Sequence, residues 1–179
     1  MQALSYKDHL LLMARYNAWM NGKMIALLSP VAEAALLEDR GAFFGSVMGT
    51  LNHLIVADLL WLNRMRGHPY GAVLAPIDTL PKPSALAQIL YPSMAAYAPV
   101  RTQLDALFIA FVAGLSGDDI AATLQYHDSR GQPHTKVLGG VLSHVFNHQT
   151  HHRGQATTLL SQMGLDAGVT DLHTQVPEV

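Results

Sequence analysis

Apolar side chains recur at helical spacing over the first 28 residues of the chain. From residue 3 to residue 28 they follow one another at intervals of three, four and seven, as in Leu4, Leu11, Leu12, Tyr16, Trp19, Met20, Met24 and Leu27. This period places them on one stripe of an amphipathic helix. Ser29-Pro30 comes next, and because proline cannot continue a helix, we predict that the first helix ends at residue 28.

A second helix is predicted over residues 44–65, and it is apolar on nearly every face. A helix of this kind lies either at the centre of a protein or at a subunit interface. Residues 67–83 are rich in glycine and proline and predict a loop.

The third predicted helix begins after the loop and contains two prolines. Ser84 is a candidate N-cap, and the apolar pattern continues to about Leu115. Pro92 and Pro99 each remove a backbone hydrogen bond and clash with the preceding turn. We therefore expect one or two kinks or a short break in this helix.

The last third of the chain changes from alternating to helical periodicity. Alternation of polar and apolar residues over 120–136, with a turn sequence at 128–131, predicts a short β-hairpin. The helical period then runs from residue 137 to about Met163, and Gly164 ends it. We predict an all-α fold, a four-helix bundle forming a single domain over residues 1–164, with an irregular C-terminal tail over residues 165–179.

Composition and charge exclude several classes of function. The chain has 179 residues, is half apolar and carries a net charge of −2, with no basic cluster of the kind that nucleic-acid binding needs. Its apolar runs are too short to span a membrane, and Lys7, Asp8 and Arg15 interrupt any signal-peptide core. We therefore expect a cytoplasmic protein. Only 13% of residues are charged, so we expect an apolar surface that forms a homodimer along the second helix.

Ten histidines and no cysteine define the candidate chemistry. The absence of cysteine from the sequence excludes a disulfide framework, a thiolate zinc site and a cysteine nucleophile. Four of the histidines, His144, His148, His151 and His152, lie close together on the last predicted helix.

Helix geometry separates these four histidines. At 100° per residue, His148 and His152 face the apolar stripe, whereas His144 and His151 point toward the rim or the surface. His148 and His152 are one turn apart, so both imidazoles reach one point and could ligate one divalent ion. A metalloprotease motif is disfavoured, because Gln149 stands where His-Glu-x-x-His requires glutamate.

A third ligand must come from another helix, and His53 is the strongest candidate. It lies within an apolar helical segment, whereas His9 has solvent-type neighbours and His68 is in a loop. A hydrogen-bonded core histidine is an equally weighted interpretation of His53 at this point.

The sequence resembles the DinB/YfiT-like family of proteins. The resemblance covers essentially the whole chain and rests on Asn52-His53-Leu54-Ile55-Val56-Ala57-Asp58, on Tyr16-Asn17-Ala18-Trp19-Met20-Asn21 and above all on His148-Gln149-Thr150-His151-His152-Arg153-Gly154-Gln155. It implies a four-helix bundle, usually dimeric, with a divalent metal held by His53, His148 and His152. Family members with an assigned activity include S-transferases that use low-molecular-weight thiols and a thiol-dependent maleylpyruvate isomerase.

Several functional interpretations follow from this resemblance. Three histidines and one open position are typical of a catalytic zinc site, and zinc or nickel is the expected ion. A metal-dependent thiol S-transferase or hydrolase acting on a small molecule is the first hypothesis, and any thiol must come from outside because the chain has no cysteine. The alternatives are a non-catalytic, dimeric metal-binding module and a stress-related protein.

Polar neighbours of the three histidines are candidates for orienting the imidazoles. They are Asp58, Asn147 and Gln149, although ordinary helix polarity is the simpler explanation for all three. The sequence leaves open whether His127 approaches the site from the hairpin.

Overall fold

A computed structural model describes residues 4–178, and four long helices dominate it. They are α1 (Tyr6–Leu28), α3 (Val47–Met65), α4 (Met94–Gly114) and α6 (Leu138–Gln162). The shorter elements are α2 (Glu33–Leu37), α5 (Gly117–Ala121), strands β1 (Thr123–His127) and β2 (Pro133–Val137), and 3₁₀ helices at Gly71–Thr79 and Leu172–Gln175. The sequence pattern did not predict α2, α5 or either 3₁₀ helix. The fold is mostly helical, with one small antiparallel sheet.

Serine side chains cap the starts of three long helices. Ser5 accepts a hydrogen bond from the backbone N–H of Asp8 and forms a capping box with it, which begins α1. The hydroxyl of Ser46 accepts from the N–H of Gly49 at 2.9 Å and begins α3, so this helix starts three residues later than predicted.

The third long helix starts at Met94, so the prediction that it begins after Ser84 was wrong. Ser93 is its N-cap, and Pro92 immediately precedes the cap. Residues before a proline avoid the helical region, which favours an irregular segment up to this point. Asn52 of α3 holds that segment in place, because its side-chain oxygen accepts hydrogen bonds from the N–H groups of Leu90 and Tyr91. Pro99 lies within α4.

Helix α3 is central to the molecule. Residues 47–59 are all buried within this one chain, and α3 packs against both α4 and α6. Helix α1 packs mainly against α4 and also contacts α6, so the four helices share one hydrophobic core. The apolar character of α3 on every face is therefore explained by burial inside the chain.

The hairpin and the end of the last helix follow the sequence pattern. Strands β1 and β2 pair antiparallel, with Gln125 opposite Thr135, and Gly131 in the turn has a positive φ of 76°. Gly164 follows α6 with a φ of 73°, as a helix-ending glycine does.

The C-terminal segment is held against the helices. The hydroxyl of Tyr16 donates to the carbonyl of Thr170 at 2.6 Å, and the ammonium of Lys23 donates to the carbonyl of Val169. Together with the 3₁₀ helix at Leu172–Gln175, these bonds give the predicted irregular tail a defined course. Within residues 4–178, no helix has both the length and the hydrophobicity needed to cross a membrane.

Candidate metal centre

His53 of α3 meets His148 and His152 of α6 at one point. Their nearest ring nitrogens all lie within 4.8 Å of one another. The Nε2 atoms of His53 and His148 are 3.2 Å apart, and the ring centres of His148 and His152 are 4.4 Å apart. The structure thus brings together the three histidines that the sequence singled out.

Hydrogen bonds on the far side of two rings set their orientation. Nδ1 of His53 lies 3.0 Å from the carbonyl oxygen of Leu86, and Nδ1 of His152 lies 2.7 Å from Oε1 of Gln155. Because both partners are acceptors, each Nδ1 carries the proton, which leaves Nε2 with a free lone pair. Anchoring of this kind is the usual arrangement for metal-ligating histidines.

The three imidazoles are held in their neutral form. His53 and His152 are only 5% and 8% exposed, and His148 is half-buried. Burial lowers the pKa of His53 and of His152. Burial, together with repulsion from the neighbouring imidazoles, lowers the pKa of His148 to about 3. Neutral imidazole is the form that binds a metal ion.

Phe44 covers the histidine cluster. Its ring stacks on His53 with the centres 3.9 Å apart and meets His152 edge-on at 5.5 Å. The residue lies outside α3, in a tight turn where Gly45 adopts a positive φ of 73°. The sequence pattern had placed Phe44 at the start of a helix and gave no indication of this role.

The donor set fits a divalent ion such as zinc or nickel. Two nitrogen ligands on one tetrahedral zinc ion lie about 3.3 Å apart, close to the 3.2 Å between Nε2 of His53 and Nε2 of His148. Imidazole ligands suit zinc, nickel, copper and iron alike, so the donor atoms do not select one metal.

Asp58 and Gln149 do not hydrogen-bond to the histidine rings. Nε2 of Gln149 donates to Oδ2 of Asp58 at 2.6 Å, and Arg101 donates to the same oxygen at 2.6 Å. Asn147 is exposed. The ring partners are instead Leu86 and Gln155. Gln155 could have been found from its position one helical turn after His152, whereas nothing in the sequence marks Leu86.

A buried polar network connects all four long helices. Its members are Asn17 and Asn21 of α1, Asp58 of α3, Arg101 and Asp105 of α4, and Gln149 and Arg153 of α6, and all are at most 5% exposed. Its two aspartates and two arginines give the network a formal charge of zero. Although burial favours the neutral guanidine, Asp105 and Asp58 raise the pKa of Arg101, so it remains charged.

Arg153 and Gln149 bring this network to the histidine-bearing helix. Arg153 donates to the side-chain oxygen of Asn17, and Asn17 in turn donates to Asp105 at 3.1 Å. Gln149 and Arg153 directly follow His148 and His152, so the network fixes the rotation of α6 about its axis and with it the direction of both rings.

The remaining histidines near the cluster are peripheral. His151 is exposed and contacts Gln155, and His144 lies one turn from His148 with the ring centres 5.9 Å apart. His127 is exposed at the end of β1, where its neighbour Tyr126, rather than His127, packs on α3 through Trp61.

Comparison with known proteins identifies a family that matches nearly the whole chain. The family model for the DinB family matches residues 5–177. The chain is also similar to the Protein DinB of Bacillus subtilis (strain 168), with 24% identity over 156 residues and 87% of each chain covered. Because the family model spans nearly the whole sequence, the chain belongs to the DinB family.

Proposed function

We propose that His53, His148 and His152 bind one divalent metal ion at the centre of a four-helix bundle, and that the protein is a metal-dependent enzyme. The observation that carries this proposal is the convergence of three neutral imidazoles, two of them locked by hydrogen bonds at Nδ1 so that Nε2 faces the cluster. A structural zinc site closes with a fourth protein ligand, and within residues 4–178 no cysteine or carboxylate joins the three histidines.

The chemistry that such an ion supplies is activation of a small nucleophile. A divalent ion held by His53, His148 and His152 would lower the pKa of a thiol or water bound to it. The protein's own groups orient the ligands through Leu86 and Gln155, and Phe44 shields the cluster from bulk water.

Transfer of an external thiol to a carbon electrophile is the reaction we favour, with hydrolysis as the second candidate. In thiol transfer the sulfur forms a bond to carbon, the leaving group departs with its electron pair, and the thiol proton passes to solvent. The chain contains no cysteine, so the thiol is a substrate and not part of the protein.

Metal analysis tests the first half of this proposal. Protein purified without a nickel column should contain about one divalent ion per chain by plasma mass spectrometry. His53→Ala should lose that ion while keeping its helical circular dichroism, and His127→Ala, which removes an exposed imidazole on β1, should keep it. A metal-free wild-type protein that is not stabilised by added zinc or nickel would contradict the proposal.

Turnover tests the second half. Wild-type protein with its metal should accelerate the reaction of N-acetylcysteine with 1-chloro-2,4-dinitrobenzene, or the hydrolysis of p-nitrophenyl acetate, and His152→Ala should lose that acceleration. Metal binding without turnover of either probe would favour the alternative of a non-catalytic metal-binding module. The homodimer and the cytoplasmic location remain proposals that light scattering and cell fractionation can check.

A further inference from the structure

A second feature lies beside the histidine cluster, in the groove between α3, α6 and the hairpin. It is a pocket of about 480 Å³ that we call the Trp61 pocket, and it is lined chiefly by Trp61, Tyr126, Lys136, Gly140, Val141 and His144. This volume is within the range of pockets that bind small molecules.

The walls of the Trp61 pocket are flat and apolar. The rings of Trp61 and Tyr126 meet edge-on with centres 5.3 Å apart, and His144 meets Trp61 at the same distance. Val141 of α6 adds an aliphatic surface. Such walls favour a planar or apolar molecular body, which can stack on the rings.

The charge around the Trp61 pocket is positive. Lys136 lines it, and the guanidinium of Arg64 lies 4.5 Å from the ring centre of Trp61 and 5.2 Å from that of Tyr126. Within residues 4–178 no carboxylate is within salt-bridge distance of either Lys136 or Arg64. Two cations without a carboxylate partner make this pocket electropositive, which favours an anionic ligand over a neutral or cationic one.

The pocket adjoins the histidine cluster. His144 lines the pocket, and His148 follows it one turn, about 6 Å, along α6. His144, a lining residue of the pocket, is therefore a direct neighbour of His148, a member of the cluster.

We infer that the Trp61 pocket binds a small organic anion, a planar or apolar body carrying one carboxylate or phosphate group, with the anion held by Lys136 and Arg64. The role of this anion as the substrate that reacts at the histidine cluster rests on the proposed function, whereas its binding to the pocket does not.

The two tryptophans of the chain give a direct measurement of this binding. Trp61 lies in the pocket, and Trp19 of α1 lies under Lys23, whose ammonium is 4.8 Å from its ring centre. In ¹H–¹⁵N spectra of the full chain, titration with benzoate should shift the indole N–H signal of Trp61 and leave that of Trp19 unchanged. Phenyl phosphate in place of benzoate shows which anionic group is preferred, and neutral benzamide should bind at least threefold more weakly than the better anion.

Removing the positive charges tests the anion recognition. Lys136→Met and Arg64→Met should each weaken binding of the preferred anion at least threefold, and 0.5 M sodium chloride should weaken it further because these groups are close to solvent. Benzamide binding should change little. Equal binding of anion and benzamide, or no effect of either substitution, would overturn the inference.

Glycine positions provide an obstructing variant and its matched control. A side chain at Gly140 of α6 enters open space on the pocket wall, and one at Gly22 of α1 enters open space elsewhere. Both Gly140→Leu and Gly22→Leu gain helix propensity, so both should fold. Gly140→Leu should abolish the shift of Trp61, and Gly22→Leu should keep it. A Trp61 shift that survives in Gly140→Leu would contradict the inference.

Repeating the titration on chelator-treated protein and on His53→Ala separates the two proposals. Binding of the anion in both samples supports the pocket whether or not a metal is present. If the anion does not bind to protein that still holds its metal, the inference about the pocket is overturned and the proposed function is not. Pocket binding in a wild-type chain that takes up no metal would overturn the proposed function alone.

Discussion

Gln149 and Asp58 join the histidine-bearing helix α6 to the central helix α3, with Nε2 of Gln149 2.6 Å from Oδ2 of Asp58. The same oxygen accepts a hydrogen bond from Arg101 of α4, so one buried carboxylate connects three helices. Burial raises the pKa of Asp58, and the charge of Arg101 opposes this effect. The Asp58–Arg101 pair is therefore costly to break, because Asp58 alone would be a buried charge without a cation and Arg101 alone would keep only Asp105 as its acidic partner.

The first prediction concerns this carboxylate. Asp58→Ala leaves Arg101 without one of its two acidic partners, and we expect a loss of about 3–5 kcal/mol in the free energy of unfolding, measured with urea. Asp78→Ala is the matched control, since Asp78 pairs with Arg66 at the surface and its side chain is 57% exposed. That variant should lose less than about 1 kcal/mol. Equal losses in the free energy of unfolding for the two variants would show that the buried pair contributes no more to stability than the exposed pair.

A second prediction concerns the hydrogen bond that orients His152. Gln155→Ala removes the acceptor for Nδ1–H of His152, so the ring can rotate and the affinity for zinc should fall about 10- to 100-fold. Gln162→Ala, an exposed glutamine at the end of the same helix, should keep the wild-type affinity. Competition with a chromophoric chelator measures both. Unchanged affinity in Gln155→Ala would mean that packing alone orients the ring.

Helical periodicity was sufficient to identify two of the three clustered histidines. His148 and His152 lie on one helix, so their relative direction follows from the residue count alone. His53 required the additional argument that it lies in an apolar segment, and burial on α3 confirms that environment. The sequence could not decide between a ligand and a core histidine, because the distance between two helices is a property of tertiary packing.

The loop contributions to the site could not be predicted. Leu86 reaches His53 through a backbone carbonyl, a group that every residue has. Its segment is irregular, and Asn52, 38 residues away from Leu90 in sequence, holds that backbone in place. The prediction of a helix beginning after Ser84 failed because it used a local capping signal, whereas the N-cap in the structure is Ser93, directly after Pro92. Phe44 was missed for a similar reason, since it was assigned to α3 and lies in the turn before it.

A third prediction concerns the pH dependence of stability in the metal-free protein. The pKa values of His53, His148 and His152 are lowered by folding, so between their folded values and about 6.5 the unfolded chain binds more protons than the native one. Their contribution to the free energy of unfolding is therefore complete above about pH 6.5 and is lost as the pH falls below that value. Urea midpoints measured with chelator present should be lower at pH 5 than at pH 7.5.

A variant in which all three histidines are glutamine gives the control for this dependence. It should show a smaller difference in midpoint between pH 5 and pH 7.5, whatever its absolute stability. The lowered pKa values of Asp8, Asp119 and Asp128 act only below about pH 4, outside this window. A difference in midpoint between pH 5 and pH 7.5 that is the same in the wild type and in this variant would contradict the burial of neutral imidazoles.

The last prediction concerns the ring that covers the cluster. Phe44 stacks on His53 at 3.9 Å, and burial is the main cause of the lowered pKa of that histidine. Phe44→Ala should admit water and raise the pKa of His53 toward its ordinary value of about 6.5. Phe43→Ala is a close control, because the neighbouring ring is 86% exposed and removing it leaves His53 covered. Titration of the histidine Cε1–H signals by NMR in metal-free protein measures both variants. An unchanged pKa of His53 in Phe44→Ala would show that the helices alone, and not this ring, keep water from the cluster.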